Sequence, residues 1–174
     1  EVVRVAAALP EVGGFAASTG GSLSPVGPPV QVRRRQLDNG LLRVDLARGG
    51  HIRLTDLRTG ARYDRLMTLE SEGDAGDTYS FAPAAGDGPR GTAWAAPRTV
   101  ARGPLVGALQ VSATLRSGRV RARLTLALYA GSPLLRCTIE LENGAGDHRL
   151  RLRVATGLAT DVAVAGGPFA PVRR

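Results

Sequence analysis

Lysine is absent from this chain. All 23 basic residues are arginine, set against 15 acidic residues, for a formal net charge of +8 over 174 residues. A basic balance invites a nucleic acid or an anionic surface as partner. Two features argue against it here. The uniform use of arginine reads as a coding bias shared with abundant alanine and glycine, and the arginines alternate with apolar residues instead of forming a block. Aromatic residues make up only 4% of the chain, too few for the base stacking that nucleic-acid binding usually recruits. Nucleic acid is therefore not expected as a partner.

Other scarcities exclude more. A single cysteine, Cys137, rules out an internal disulfide. It shares its parity with Leu135, Ile139 and Leu141, which marks it as a buried core thiol. No neighbour reads as its base, so a catalytic role is not expected. The two histidines, His51 and His148, are far apart and have no His or Cys partner at metal-ligand spacing, so no zinc site is expected within this chain. No Gly-x-Ser-x-Gly elbow, phosphate loop or dinucleotide fingerprint is present. No run approaches the ~20 apolar residues of a membrane span, and no leader pattern precedes the first strand-like residues. A membrane is not expected as a partner. The chain opens on Glu1 and at once on strand-like residues, which reads as a piece of a longer polypeptide. Its compartment is not legible.

What is present is alternation. Hydrophobic residues at 43% are enough for one core, filled by Val, Leu and Ala. Residues 1–9 read as a short strand, residues 10–15 as a turn, and the Ser/Gly/Pro-rich residues 18–29 as a linker. The domain boundary is placed at residues 30 and 31, with a preceding segment over 1–30 and a sandwich over 31–174. Leu42, Val44 and Leu46 alternate with Arg43 and Asp45 after the turn signal Asp38-Asn39-Gly40. Ile52 and Leu54 lead into a turn over residues 56–60 that returns through Tyr63 as a hairpin. Residues 73–104 read mostly as loop around one strand near Tyr79 and Phe81.

The alternation is clearest over residues 109–115, 120–128, 135–141 and 150–154, with turns between. A period of two means that each strand buries one face and wets the other. No segment carries a sustained helical stripe. Together these features predict an all-β fold, an antiparallel β-sandwich. Arg121, Arg123, Arg149, Arg151 and Arg153 are expected to form one outward row. That row reads either as a solvated face paired with acids such as Glu140 and Glu142, or as a contact for an anion or a partner domain.

The acidic island is residues 70–77, which hold four carboxylates, followed by Tyr79 and Phe81. It reads as a loop entering a strand. Carboxylates in pairs can serve glycoside hydrolysis or bind calcium. Equally, aspartates in a glycine-rich loop cap turns by accepting from backbone amides.

Five motifs in order extend this reading. Residues 37–44 (LDNGLLRV), 54–60 (LTDLRTG), 73–83 (GDAGDTYSFAP), the pair Glu142-Asn143 with residues 147–151 (DHRLR), and 167–169 (GPF) follow one another. This set resembles the β-sandwich region that follows the catalytic domain in α-mannosidases of glycoside hydrolase family 38. Residues 9–14 loosely resemble the end of that family's preceding small β-domain. The resemblance implies a sandwich of the galactose-mutarotase-like, or supersandwich, type. It implies an α-mannoside-type carbohydrate as substrate and the N-terminal catalytic domain of the same polypeptide as partner. It places the zinc ion and the aspartate nucleophile of a retaining mechanism in that barrel domain, leaving no cofactor and no catalytic residue here. By the same match Asp77 and Tyr79 are the first candidates for substrate contact, with Asp74 third. A tyrosine can stack on a sugar and hydrogen-bond to it. The competing reading for Tyr79 is a strand residue packed under the loop. Two further readings stay open: a free-standing carbohydrate-binding module, which calls for an exposed aromatic platform, and a mutarotase-like enzyme, which calls for a Glu with converging histidines.

Overall fold

Alternation of large apolar with polar residues organises the chain into strands, as expected, because only one face of each strand can be buried in a two-layer protein. The computed structural model describes residues 27–166, 168 and 170–173. The strand, turn and most of the linker expected before residue 27 lie outside the described residues, as do two of the three residues of the motif at 167–169.

The first sheet has five antiparallel strands in chain order: β1 (Gln31–Arg33), β2 (Gln36–Asp38), β3 (Leu42–Leu46), β4 (Ile52–Asp56) and β5 (Arg62–Tyr63). The hairpin over residues 56–60 forms where expected, with Leu54 opposite Tyr63. Next come β6 (Met67–Gly73), β7 (Arg90–Thr92), β8 (Arg98–Arg102), β9 (Val106–Leu115), β10 (Val120–Tyr129), β11 (Arg136–Asn143) and β12 (His148–Val154). β11, β10, β9 and β8 lie side by side in a four-stranded sheet, and β12, β6 and β7 make a three-stranded one. A last pair, β13 (Val164–Ala165) and β14 (Val172–Arg173), stands apart. The only helical element among the described residues is a 3-10 turn at Arg116–Gly118, joining β9 to β10.

One core joins the two main sheets. Leu37, Val44 and Ile52 from the first meet Leu109, Val111, Leu124 and Leu126 from the second, with Leu69 of β6 and Trp94 completing the cluster. Asn39, fully buried, staples the sheets together. Its amide nitrogen donates to the carbonyls of Tyr129 and Ser132 at 2.8 Å each, and its Oδ1 accepts from the amides of Leu41 and Leu42. The residue that signals a turn in the sequence is thus also the polar bond between layers.

The structure corrects five expectations. Glu70, Ser71 and Glu72 belong to β6, whereas Tyr79 and Phe81 lie in no strand. The island is a strand running into a loop, the reverse of the expected order. β7 and β8 also occupy the region expected to be mostly loop. The five arginines are divided between two sheets: Arg121 and Arg123 pair with Glu140 and Glu142 across β10 and β11, and the other three belong to β12. Leu152 and Val154 are exposed, because β12 is an outer strand and no second layer among the described residues covers its far end. Cys137 is half-buried against the core, not enclosed in it, because β11 is the edge of its sheet. That burial still pushes its thiol up to about 11.

Candidate functional site

The site grows from β6 and β12. In their antiparallel register Arg149 lies opposite Glu72 and Arg151 opposite Glu70. Glu72 is 6% exposed. Its Oε1 accepts from Nε and Nη2 of Arg149 at 2.9 and 2.7 Å, and Nη2 of Arg151 lies 2.9 Å away. Glu70 meets Arg151 at 3.7 Å and Arg153 at 3.4 Å. A carboxylate buried this deeply persists only when paired. Both glutamates of the acidic island are committed to the arginine ladder, so neither is free for acid–base work on a glycosidic bond.

Beyond Gly73 the chain leaves the sheet in a tight loop closed by a bridge between Asp74 and Pro83. Asp74 Oδ1 accepts from the amides of Gly76 at 2.9 Å and Ala82 at 3.1 Å. These amides, with Arg149 nearby, hold the Asp74 carboxyl below the usual carboxylate range. Asp77 Oδ1 accepts from the amides of Tyr79 at 2.8 Å and Ser80 at 2.7 Å. Gly76 is required by space: a Cβ there would stand 1.8 Å from the carbonyl oxygen of Ser80. Phe81 closes the loop from the other side, with the Arg149 guanidinium carbon 3.3 Å from its ring centroid. One arginine thereby ties the buried carboxylate of the strand to the aromatic foot of the loop.

The three residues expected at a site, Asp74, Asp77 and Tyr79, all lie in this loop, but in different attitudes. The aspartates turn one oxygen each inward to backbone amides. The Tyr79 side chain, on a residue 96% exposed, projects from the loop into solvent. Packing under the loop, the competing reading for Tyr79, is thereby excluded. Arg149 and Phe81 were the residues the sequence hid: nothing in their local pattern shows that positions so far apart in the chain stack on each other.

Beside the loop lies a second polar cluster. Ser71 Oγ lies 3.0 Å from Nδ1 of His148, whose Nε2 lies 3.0 Å from Oδ1 of Asn143. Arg116 donates from Nε to Ser71 Oγ at 2.7 Å and forms an ion pair with Asp87. The hydrogen bond that Arg116 Nη1 donates to Asp87 Oδ2 holds the Asp87 carboxyl low. Burial, then the positive charge of Arg116, depresses His148. The arrangement fits a neutral imidazole that accepts from the serine hydroxyl and donates to Asn143. It locks the start of β12 to β6 next to the loop. His51 takes no part, and among the described residues no three His, Cys, Asp or Glu side chains gather as metal ligands.

Trp94, the single tryptophan, is buried, with Nε1 donating to the carbonyl of Met67 at 2.9 Å. It is a core residue and offers no platform for a sugar ring.

No protein-family profile matches the chain, and no curated protein matches it. Solved structures do. An α-mannosidase from Enterococcus faecalis V583 superposes with a TM-score of 0.71 at 20% identity, over 88% of this chain and 20% of that one. A glycosyl hydrolase family 38 protein from Enterococcus faecalis gives a TM-score of 0.70 at 20% identity, over 92% of this chain and 22% of that one. The chain has the fold of a domain within these two proteins. It spans about a fifth of their length. The likeness agrees with the all-β, antiparallel sandwich that the alternation of the sequence predicts.

Proposed function

We propose that the chain is the sandwich domain of an α-mannosidase-like glycoside hydrolase, shaping the sugar cleft of a catalytic domain that lies outside these residues. The observation that carries this reading is the loop at residues 74–83. Asp74, Asp77, Gly76 and the Arg149–Phe81 stack fix its backbone, and it holds an aromatic ring fully in solvent at its tip. Keeping a tyrosine uncovered forgoes its burial energy, and a rigid aromatic hydroxyl is suited to stacking on a sugar face and bonding its hydroxyls. The fold shared with two glycoside hydrolase structures agrees with this use.

In this reading Tyr79 and Asp77 touch the sugar first and Asp74 third, while Oδ1 of each aspartate fixes the loop backbone. Bond cleavage and the zinc ion belong to the catalytic domain, which is the domain's first partner. The test compares Tyr79→Phe and Tyr79→Ala in the polypeptide that carries this chain, on an aryl α-mannoside. A direct contact raises KM or lowers kcat about tenfold for the alanine variant, with a smaller effect for phenylalanine. Unchanged kinetics in both would remove Tyr79 from the site. The alternative of a free-standing binding module is weaker, because Trp94 is buried and no flat aromatic surface forms among the described residues.

A further inference from the structure

The outer face of the first sheet carries a feature the loop does not explain. A cavity of about 840 Å³ opens there between the β1–β2 turn, the β3–β4 turn and the turn after β5. Seven arginines line it against two aspartates. Three of the seven are occupied: Arg43 pairs with Asp38, Arg53 with Asp64, and Arg35 donates to the carbonyl of Ala47 at 3.2 Å. The remaining four, Arg33, Arg34, Arg48 and Arg65, have no carboxylate within ion-pair distance among the described residues. Asp45, the other acid, accepts from Gln36 at 2.8 Å and keeps its negative charge there, opposite Arg53 across the strands, so the lining stays strongly positive but not wholly so.

Four guanidinium groups with no carboxylate partner among the described residues line one concave surface, and a bound anion would relieve their mutual repulsion. Arg65 sustains a left-handed backbone at φ 51, a conformation more readily taken by glycine, and lines the cavity from there. Guanidinium forks match the paired oxygens of a phosphoryl group. The cavity is too large for that group alone. It adjoins a second cavity of about 510 Å³ that shares His51, Asp64 and Arg65 and adds the hydroxyls of Thr68 and Thr92, beside a Glu70 held by Arg153. Threonine hydroxyls can donate to and accept from the hydroxyls of a polyol. No Phe, Tyr or Trp lines either cavity, so a nucleobase finds none of the large aromatic platforms it usually stacks on.

We propose that this groove binds a phosphorylated saccharide, with the phosphoryl group on the arginines and the sugar hydroxyls toward Thr68 and Thr92. The site stands on its own observations, separate from the loop that carries Tyr79. The test is calorimetric titration of the full chain with mannose 6-phosphate, free mannose and inorganic phosphate. The phosphorylated sugar binds, more tightly than inorganic phosphate, free mannose does not, and affinity falls as salt is raised. Replacing Arg48→Gln with Arg65→Gln, or Arg33→Gln with Arg34→Gln, weakens binding about tenfold or more. A control pair on the other sheet, Arg121→Gln with Arg123→Gln, leaves it unchanged. Absence of binding overturns the proposal. So does equal loss in the control pair, which marks unspecific attraction, or survival of binding in both groove variants. Inorganic phosphate binding as tightly as the sugar phosphate overturns the saccharide assignment. Loss through Tyr79→Phe alone would move the ligand to the loop.

Discussion

Replacing Arg149 with methionine perturbs strand and loop at once, and the cost can be worked from the contacts. The substitution removes two N–H donors from Glu72 Oε1 and the cation from the face of Phe81. Stripping a buried carboxylate of its only partner costs about 3–5 kcal/mol. Glu72 keeps Arg151 at 2.9 Å, so the loss is closer to one charge-assisted hydrogen bond, about 1.5–3 kcal/mol. The stack on Phe81 adds roughly 0.5–1 kcal/mol, and methionine packing returns part of the total. The expected destabilisation is about 2–3 kcal/mol. Urea unfolding followed by the fluorescence of the buried Trp94 reads it directly, since no other tryptophan interferes. Adding Glu72→Gln to Arg149→Met removes the stranded charge. The double variant should therefore be more stable than the sum of the single costs by about 1 kcal/mol or more. A cost below about 0.5 kcal/mol for Arg149→Met, or strict additivity with Glu72→Gln, would refute the claim that this pair anchors the loop.

Other outcomes follow from the same structure. Asn39→Ala removes four hydrogen bonds at a fully buried position and should cost about 3 kcal/mol, seen as a lower urea midpoint with an unchanged slope. Gly76→Ala forces the loop apart at the Ser80 carbonyl. It should expose residues 74–83 to limited proteolysis while shifting the global midpoint far less than Asn39→Ala does. Acid should destabilise the fold in two stages. His148 is depressed in the folded state, so below about pH 6.5 the unfolded chain takes up a proton that the native chain refuses, and stability falls. Asp74 and Asp87 are also depressed, so their contribution is complete above the ordinary carboxylate pKa of 3.8 and is lost as pH falls through their lower folded values. Unfolding curves from pH 8 to about pH 3 check both stages, and His148→Gln should abolish the first.

The long strands were readable because their physics is local. Leu109, Val111 and Ala113, then Val120, Ala122 and Leu124, alternate without a break and bury the expected face. The turn at Asp38-Asn39-Gly40 was equally local, although the bonds from Asn39 to Tyr129 and Ser132 were not. β6 was misread because Glu70 and Glu72 suit a strand only once Arg149, Arg151 and Arg153 pair with them across a gap of some eighty residues. Its inward Ser71 looks equally wrong for a strand until His148 and Arg116 satisfy the hydroxyl. Tyr79 and Phe81 imitate a strand by their spacing, yet Asp77 captures the amides of Tyr79 and Ser80 and turns the chain instead. At the candidate site the motif located the loop, but only the fold shows which side chain leaves it. The arginine groove was invisible in the sequence, where its members are spread over β1, the β3–β4 turn and the turn after β5.

The central proposal is that this sandwich shapes a sugar cleft without performing the chemistry. Turnover of an aryl α-mannoside, measured with and without a chelator for the 174-residue chain and for the polypeptide that contains it, tests that claim most directly. The account predicts no hydrolysis by the chain and chelator-sensitive hydrolysis by the longer polypeptide. Hydrolysis by the chain itself, or none by the longer polypeptide, would contradict it.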